Sequence, residues 1–260
     1  KKCWHFATTG YLGLEQDARL KQAGAEAIIK YGTQFPLSKT YISHPLYAEL
    51  EQLLMQMFDQ EVIICKNSTL AHLGIIPQLV GYDEVVILDH QVHWSVQQAC
   101  SLLKNRGCVV ELVRHNNMEQ LEILINKYRN KKKKIWYMAD GIYSMFGDHA
   151  PIDDLKELVK KYPELNLYFD DVHGMSWIGK NGTGFIKSHW NQIPENITIV
   201  STLSKTFGAS GAIVICGDTK KHSEIKNFGG PLTFSAQLEP ASVAAAIASA
   251  KIHLSAEIYQ

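Results

Sequence analysis

The 260-residue sequence has no excess of charge of either sign, because 26 Lys and Arg stand against 26 Asp and Glu. It therefore builds no long-range positive field of the kind that gathers nucleic-acid phosphates or anionic lipids, and neither partner is expected. It also lacks any run approaching the roughly 20 apolar residues that a membrane-spanning helix needs. The opening Lys1-Lys2-Cys3-Trp4-His5 has no apolar signal-peptide core. Five cysteines are scattered with no Cys-x-x-Cys pair, so they read as reduced core thiols of a cytoplasmic protein. Internal repeats and low-complexity linkers are absent as well. What is present is 46% hydrophobic residues, enough for a substantial core.

From about Ser43 onward, helical periodicity alternates with short β-branched runs, which implies an α/β fold with a mostly parallel sheet flanked by helices. Seven strands are expected, at Val62–Cys65, Glu84–Leu88, Val109–Val113, Ile135–Ala139, Leu165–Phe169, Ile197–Thr202 and Ala212–Cys216. The first clear helix is expected at Ser43-His44-Pro45, with Ser43 as its cap and proline in its first turn. Further helices are expected at Thr69–Val80, Ser95–Asn105, Met118–Lys127 and Ala241–Leu254. The run Lys131–Lys134, between a helix and a strand, reads as a solvated face. Gly179-Lys180-Asn181-Gly182-Thr183-Gly184 imitates a dinucleotide fingerprint, but no helical pattern follows it.

Open α/β sheets hold ligands beyond the carboxyl ends of their strands, and four loops there are unusually polar. They begin at Asp89-His90-Gln91-Val92-His93, Asp140-Gly141-Ile142-Tyr143-Ser144, Asp170-Asp171-Val172-His173-Gly174 and Leu203-Ser204-Lys205-Thr206. Asp170, ending an apolar strand, calls for a cationic partner. Lys205, also following an apolar strand, suits Schiff-base chemistry. Spacing alone leaves a purely structural Asp170–Lys205 ion pair equally open.

Three ordered motifs, Asp140 to Ile152, Asp170 to Gly174 and Ser201 to Lys205, resemble those of the α-oxoamine synthases. These are pyridoxal 5'-phosphate (PLP) enzymes of the aminotransferase class I/II superfamily, with an aspartate-aminotransferase-like large domain. Gly10-Tyr11-Leu12-Gly13-Leu14 and Phe234–Pro240 extend the resemblance along the chain. By that resemblance Lys205 forms the Schiff base and shuttles the substrate's Cα proton, while Asp170 pairs with the pyridine nitrogen. His173 would hydrogen-bond the ring's phenolic oxygen, near which Ser144 is also expected, and His93 would stack on the ring. Asn67-Ser68-Thr69, with Ser68 and Thr69 opening a helix, would hold the phosphate, aided by Thr202 and Ser204. Ser235 would reach the phosphate of a neighbouring subunit, which implies a homodimer.

The implied reaction condenses an amino acid with an acyl-CoA, usually with decarboxylation, to an aminoketone. A PLP-dependent aminotransferase, decarboxylase or aldolase on the same fold, and a non-catalytic partner subunit, are the alternatives. Residues 1–42 are expected to lead into a PLP-binding large domain at 43–260. The family's C-terminal small domain, with its carboxylate-clamping arginine, has no counterpart, so the chain reads as a piece of a longer protein. No metal is expected.

Overall fold

The computed structural model describes residues 5–36, 38, 41–255 and 257–259. Its strands are β1 (Ile63–Cys65), β2 (Val85–Asp89), β3 (Val109–Val113), β4 (Ile135–Asp140), β5 (Leu165–Asp170), β6 (Ile197–Thr202) and β7 (Ala212–Cys216). The longer helices are α1 (Ala18–Tyr31), α2 (Pro45–Phe58), α3 (Ser68–Leu79), α4 (Trp94–Lys104), α5 (Met118–Tyr128) and α6 (Ile152–Lys161). A single-turn α7 (Phe185–Ser188) precedes α8 (Thr219–Phe228), α9 (Gly230–Phe234) and α10 (Pro240–Leu254). All seven expected strands are present, within a residue or so at their ends.

The strands form one sheet in the order β1-β7-β6-β5-β4-β2-β3. Five of them, β6 through β3, run parallel, and β7 lies antiparallel to both β6 and β1. Side chains alternate between two faces. On β5, Leu165, Leu167 and Phe169 join a core under α2, α5, α6 and α10, while Tyr168 joins the opposite core with Ile75, Ile76, Trp136 and Val200. Burial on both faces is why these strands read as continuous apolar runs.

Two local details differ from the sequence expectation. The cap of α2 is His44 and not Ser43, since Pro45 takes the first helical position and His44 Nδ1 accepts the Leu46 N–H at 3.2 Å. A helix does follow the Gly179–Gly184 loop, but only the four residues of α7, and Gly184 sits against the Asp171 carboxylate, where a Cβ would come within 2.5 Å of Oδ2. That loop is a packing device around Asp171 and follows no strand end directly.

The connection from β2 leads to β3 on one side, whereas that from β4 leads to β5 on the other. The strand order therefore reverses between β2 and β4, and a crevice opens at their carboxyl ends.

Candidate active site

Strands β2, β4 and β5 each extend one residue further than expected and take a buried aspartate into the sheet: Asp89, Asp140 and Asp170. In the β4–β5 register Asp140 stands directly beside Asp170. Two buried carboxyls so close do not both ionise readily. Burial and the Asp170 charge push Asp140 up to about 9, so it holds a proton at neutral pH. Burial opposes the charge on Asp170, but His72, His93 and the Val172 N–H outweigh it and lower its pKa.

The partner of Asp170 is therefore His72, whose Nε2 lies 3.0 Å from Oδ2, and not Lys205. Sequence reading missed His72 because it lies in the apolar run Leu70-Ala71-His72-Leu73-Gly74-Ile75; the available signal was a polar residue on a buried helix face. It also assigned no role to Asp140 or Tyr11, although both sit in motifs that had been singled out.

Lys205 follows β6 with a left-handed φ of +47°, unusual for a long side chain and costly by about 1–3 kcal/mol. Its Nζ lies 2.8 Å from His173 Nε2, and His173 Nδ1 lies 2.7 Å from the Tyr11 hydroxyl. Burial and the Lys205 charge bring His173 down to about 4, so its Nε2 accepts from the ammonium and its Nδ1–H donates to Tyr11. Burial also lowers the Lys205 pKa, against the pull of Asp170 and Asp140. An amine that loses its proton more easily is a better nucleophile.

On the other side of the carboxyl pair, the His93 backbone N–H donates to Asp140 Oδ1 at 2.9 Å, and its ring Nδ1 caps α4 by accepting the Ser95 N–H at 3.3 Å. That nitrogen is 4.0 Å from Asp170 Oδ2, and the ring is half exposed, with one side open. Beside it a cavity of about 260 Å³ is lined by His93, Trp94, Asp140, Tyr143, Ser144 and Phe146, among others. A larger cavity near Lys187 lies elsewhere, and there the Lys187 amine is spent on the Trp190 and Asn191 carbonyls.

Asn67 caps α3 by accepting the Leu70 N–H at 2.9 Å. Ser68 is four residues before His72 and shares its helix face, so that face carries both the first N–H groups of α3 and the contact to Asp170. Thr69 is the next residue of the same first turn. Thr202 accepts the Ser204 N–H at 3.0 Å, and both hydroxyls donate to the Gly211 carbonyl, bracing the turn that presents Lys205. Ser235 is not brought to the cluster; its hydroxyl donates to the Pro231 carbonyl on α9, which packs against α3. By the resemblance, Thr33–Lys39 stands where the family has its substrate segment, but departs from that segment's pattern, and Leu37 and Lys39 lie outside the described residues. No group of metal-ligating side chains occurs among the described residues, and none of their helices is long and apolar enough to cross a membrane.

Known proteins resemble the chain in sequence and in fold. The chain is 35% identical over 254 residues to a putative 8-amino-7-oxononanoate synthase from Thermodesulfovibrio yellowstonii, covering 97% of the chain and 64% of the relative. It is 32% identical over 257 residues to an 8-amino-7-oxononanoate synthase from Haemophilus ducreyi, covering 94% and 64%. The chain thus spans just under two thirds of the length of these relatives. A serine palmitoyltransferase from S. paucimobilis with bound PLP-myriocin aldimine superposes with a TM-score of 0.85 at 28% identity, covering 96% of the chain and 63% of that structure. The fold is accordingly aspartate-aminotransferase-like. The family model for aminotransferase class I and II matches residues 1–258, and with strand order, switch-point crevice and lysine loop all in agreement, the chain belongs to that family.

Proposed function

We propose that this chain is the cofactor-binding large domain of an α-oxoamine synthase, which uses PLP to join an amino acid to an acyl-CoA and release an aminoketone, usually with loss of CO₂. One observation carries the reading: a half-buried lysine amine, eased toward its free-base form, shares the carboxyl ends of the strands with a buried carboxylate that is hydrogen-bonded by the His72 ring and the Val172 N–H. That donor set fits PLP, because the pyridine nitrogen needs an acid partner, the aldehyde an amine, and the phosphate a helix start. When bound, the cofactor supplies an electron sink for the Cα–H bond that breaks.

The chain's own groups do the rest. Lys205 would hold the cofactor covalently and then carry the Cα proton on Nζ, close to the His173 ring that orients it. Asp170 would hold the pyridine nitrogen in its protonated form. His93 would lie on the cofactor ring with its open side, and Ser144 would donate to the phenolic oxygen. His173 would hydrogen-bond that oxygen once the Lys205 amine is taken up by the cofactor and the ring hydrogen sits on Nε2, with Nδ1 accepting from the Tyr11 hydroxyl. The N–H groups and hydroxyls of Ser68 and Thr69 would take the phosphate, with Thr202 and Ser204 at its edge. Ser235, remote from this cluster within one chain, would serve the site of a second copy in a homodimer. Four buried free cysteines support a cytoplasmic setting.

The test is thiol release by the full-length protein on mixing with an amino acid and an acyl-CoA. Release that requires both substrates is expected, together with its loss in Lys205→Ala. Amino-group transfer to a 2-oxo acid without free thiol would identify an aminotransferase instead, and no turnover beside a catalytic second chain would identify a partner subunit.

A further inference from the structure

We propose that Tyr168 and His72 form a buried relay that holds one histidine tautomer, so that Asp170 receives a hydrogen bond from a neutral ring rather than from a contacting cation and keeps its charge for a cationic ring nitrogen. This deepens the reading above and rests on it for the identity of the ligand.

Tyr168 and His72 are both fully buried, on β5 and α3. The Tyr168 hydroxyl lies 2.7 Å from His72 Nδ1 and has no other hydrogen-bond partner among the described residues. A buried hydroxyl with a single neighbour donates its proton there, since an unused donor in an apolar interior is costly. His72 Nδ1 must then accept, which leaves the ring hydrogen on Nε2, directed at Asp170 Oδ2 at 3.0 Å. The remaining bond to Asp170 comes from the Val172 N–H at 3.2 Å.

The other titratable groups facing Asp170 do not neutralise it by contact. His93 Nδ1, 4.0 Å away, is an acceptor for the Ser95 N–H. Asp140 is its neighbour across the register, and the Lys205 amine is turned to His173. Without the Tyr168 hydroxyl, Nδ1 would be free to take a second proton. An imidazolium would then pair with Asp170 and compete with the cofactor. His72 and Tyr168 thus act as positioning residues, through Asp170.

Selective ¹⁵N-histidine labelling of the protein without cofactor tests the relay directly, with His72 assigned by the signal that vanishes in His72→Gln. The expected spectrum has a pyridine-type Nδ1 and a protonated Nε2. In Tyr168→Phe the fixed tautomer is expected to be lost, with an N–H signal appearing on Nδ1, and PLP affinity weakened about tenfold. His72→Gln keeps an N–H for Asp170 and an oxygen for Tyr168 but cannot become a cation. It should therefore bind PLP within about threefold of wild type, and combining it with Tyr168→Phe should restore most of the lost affinity. A wild-type Nδ1–H tautomer or imidazolium would overturn the relay, as would a double variant as weak as Tyr168→Phe alone. If wild type bound no PLP, the proposed function would fail while the tautomer spectrum still judged the relay.

Discussion

Asp140 and Asp170 share one patch of low dielectric, and the sheet register that aligns them divides their roles. Asp170 stays ionised because N–H donors face it, whereas Asp140 keeps its proton up to about 9. An acid whose folded pKa is raised favours the folded state most at low pH, and that advantage is lost as pH climbs from its unfolded value near 4 toward 9. Asp140→Asn should remove this slope, which is at most about 1.4 kcal/mol per pH unit. Urea unfolding at pH 6 and pH 8 should therefore show the variant gaining on wild type at the higher pH. An unchanged gap would mean that Asp140 ionises freely. Asp170→Asn should still bind cofactor but turn over at least 100-fold more slowly, since charge terms of this type are worth about 3 kcal/mol. Turnover within a few-fold of wild type would remove Asp170 from its assigned role.

Loops become precise here by being tied to strand ends. His115, just past β3, bonds Asp89 at the end of β2 through Nδ1 at 2.9 Å, and Asp148 of the loop after β4 through Nε2 at 2.6 Å. Burial works against a charged ring, but the bonds to Asp148 and Asp89 outweigh it and raise the pKa. The clip's stabilisation is complete below the unfolded value near 6.5 and is lost as pH rises through the raised folded value. His115→Gln should cost about 1–2 kcal/mol at pH 6 and less at alkaline pH. A cost independent of pH would show that the ring acts only by shape. After β5, Asp171 is fully buried, and a Cβ on Gly174 would lie 2.3 Å from its Oδ1 and 2.6 Å from the Phe185 nitrogen. Gly174→Ala should lower thermal stability by several degrees, as backbone has no room to yield. Neither knot was legible in the sequence, because His115, Asp148 and Asp171 acquire meaning only when three strand ends meet. His93 and Lys205 were legible, since each directly follows a strong apolar run or its loop.

At the scale of the whole molecule, strand number and the crevice followed from alternation of helical and β-branched segments, but strand order did not. Ala212–Cys216 is as apolar as its parallel neighbours, so nothing local marks β7 as the strand that runs the other way. The Asp170 partner eluded sequence reading for the same reason: α3 approaches β5 only through the sheet's closure, bringing His72 to a residue 98 positions away. Of the amines at the carboxyl ends of the strands, Lys66 is paired with Glu239, whereas Lys205 stands in the field of the ionised Asp170. The most direct measurement is therefore to add PLP, record the visible spectrum, reduce with borohydride and locate the attached cofactor mass by peptide mapping. A visible band that bleaches on reduction, a label on Lys205 and no band in Lys205→Ala are predicted. A wild-type protein without such a band, or a label on a different lysine, would contradict the account.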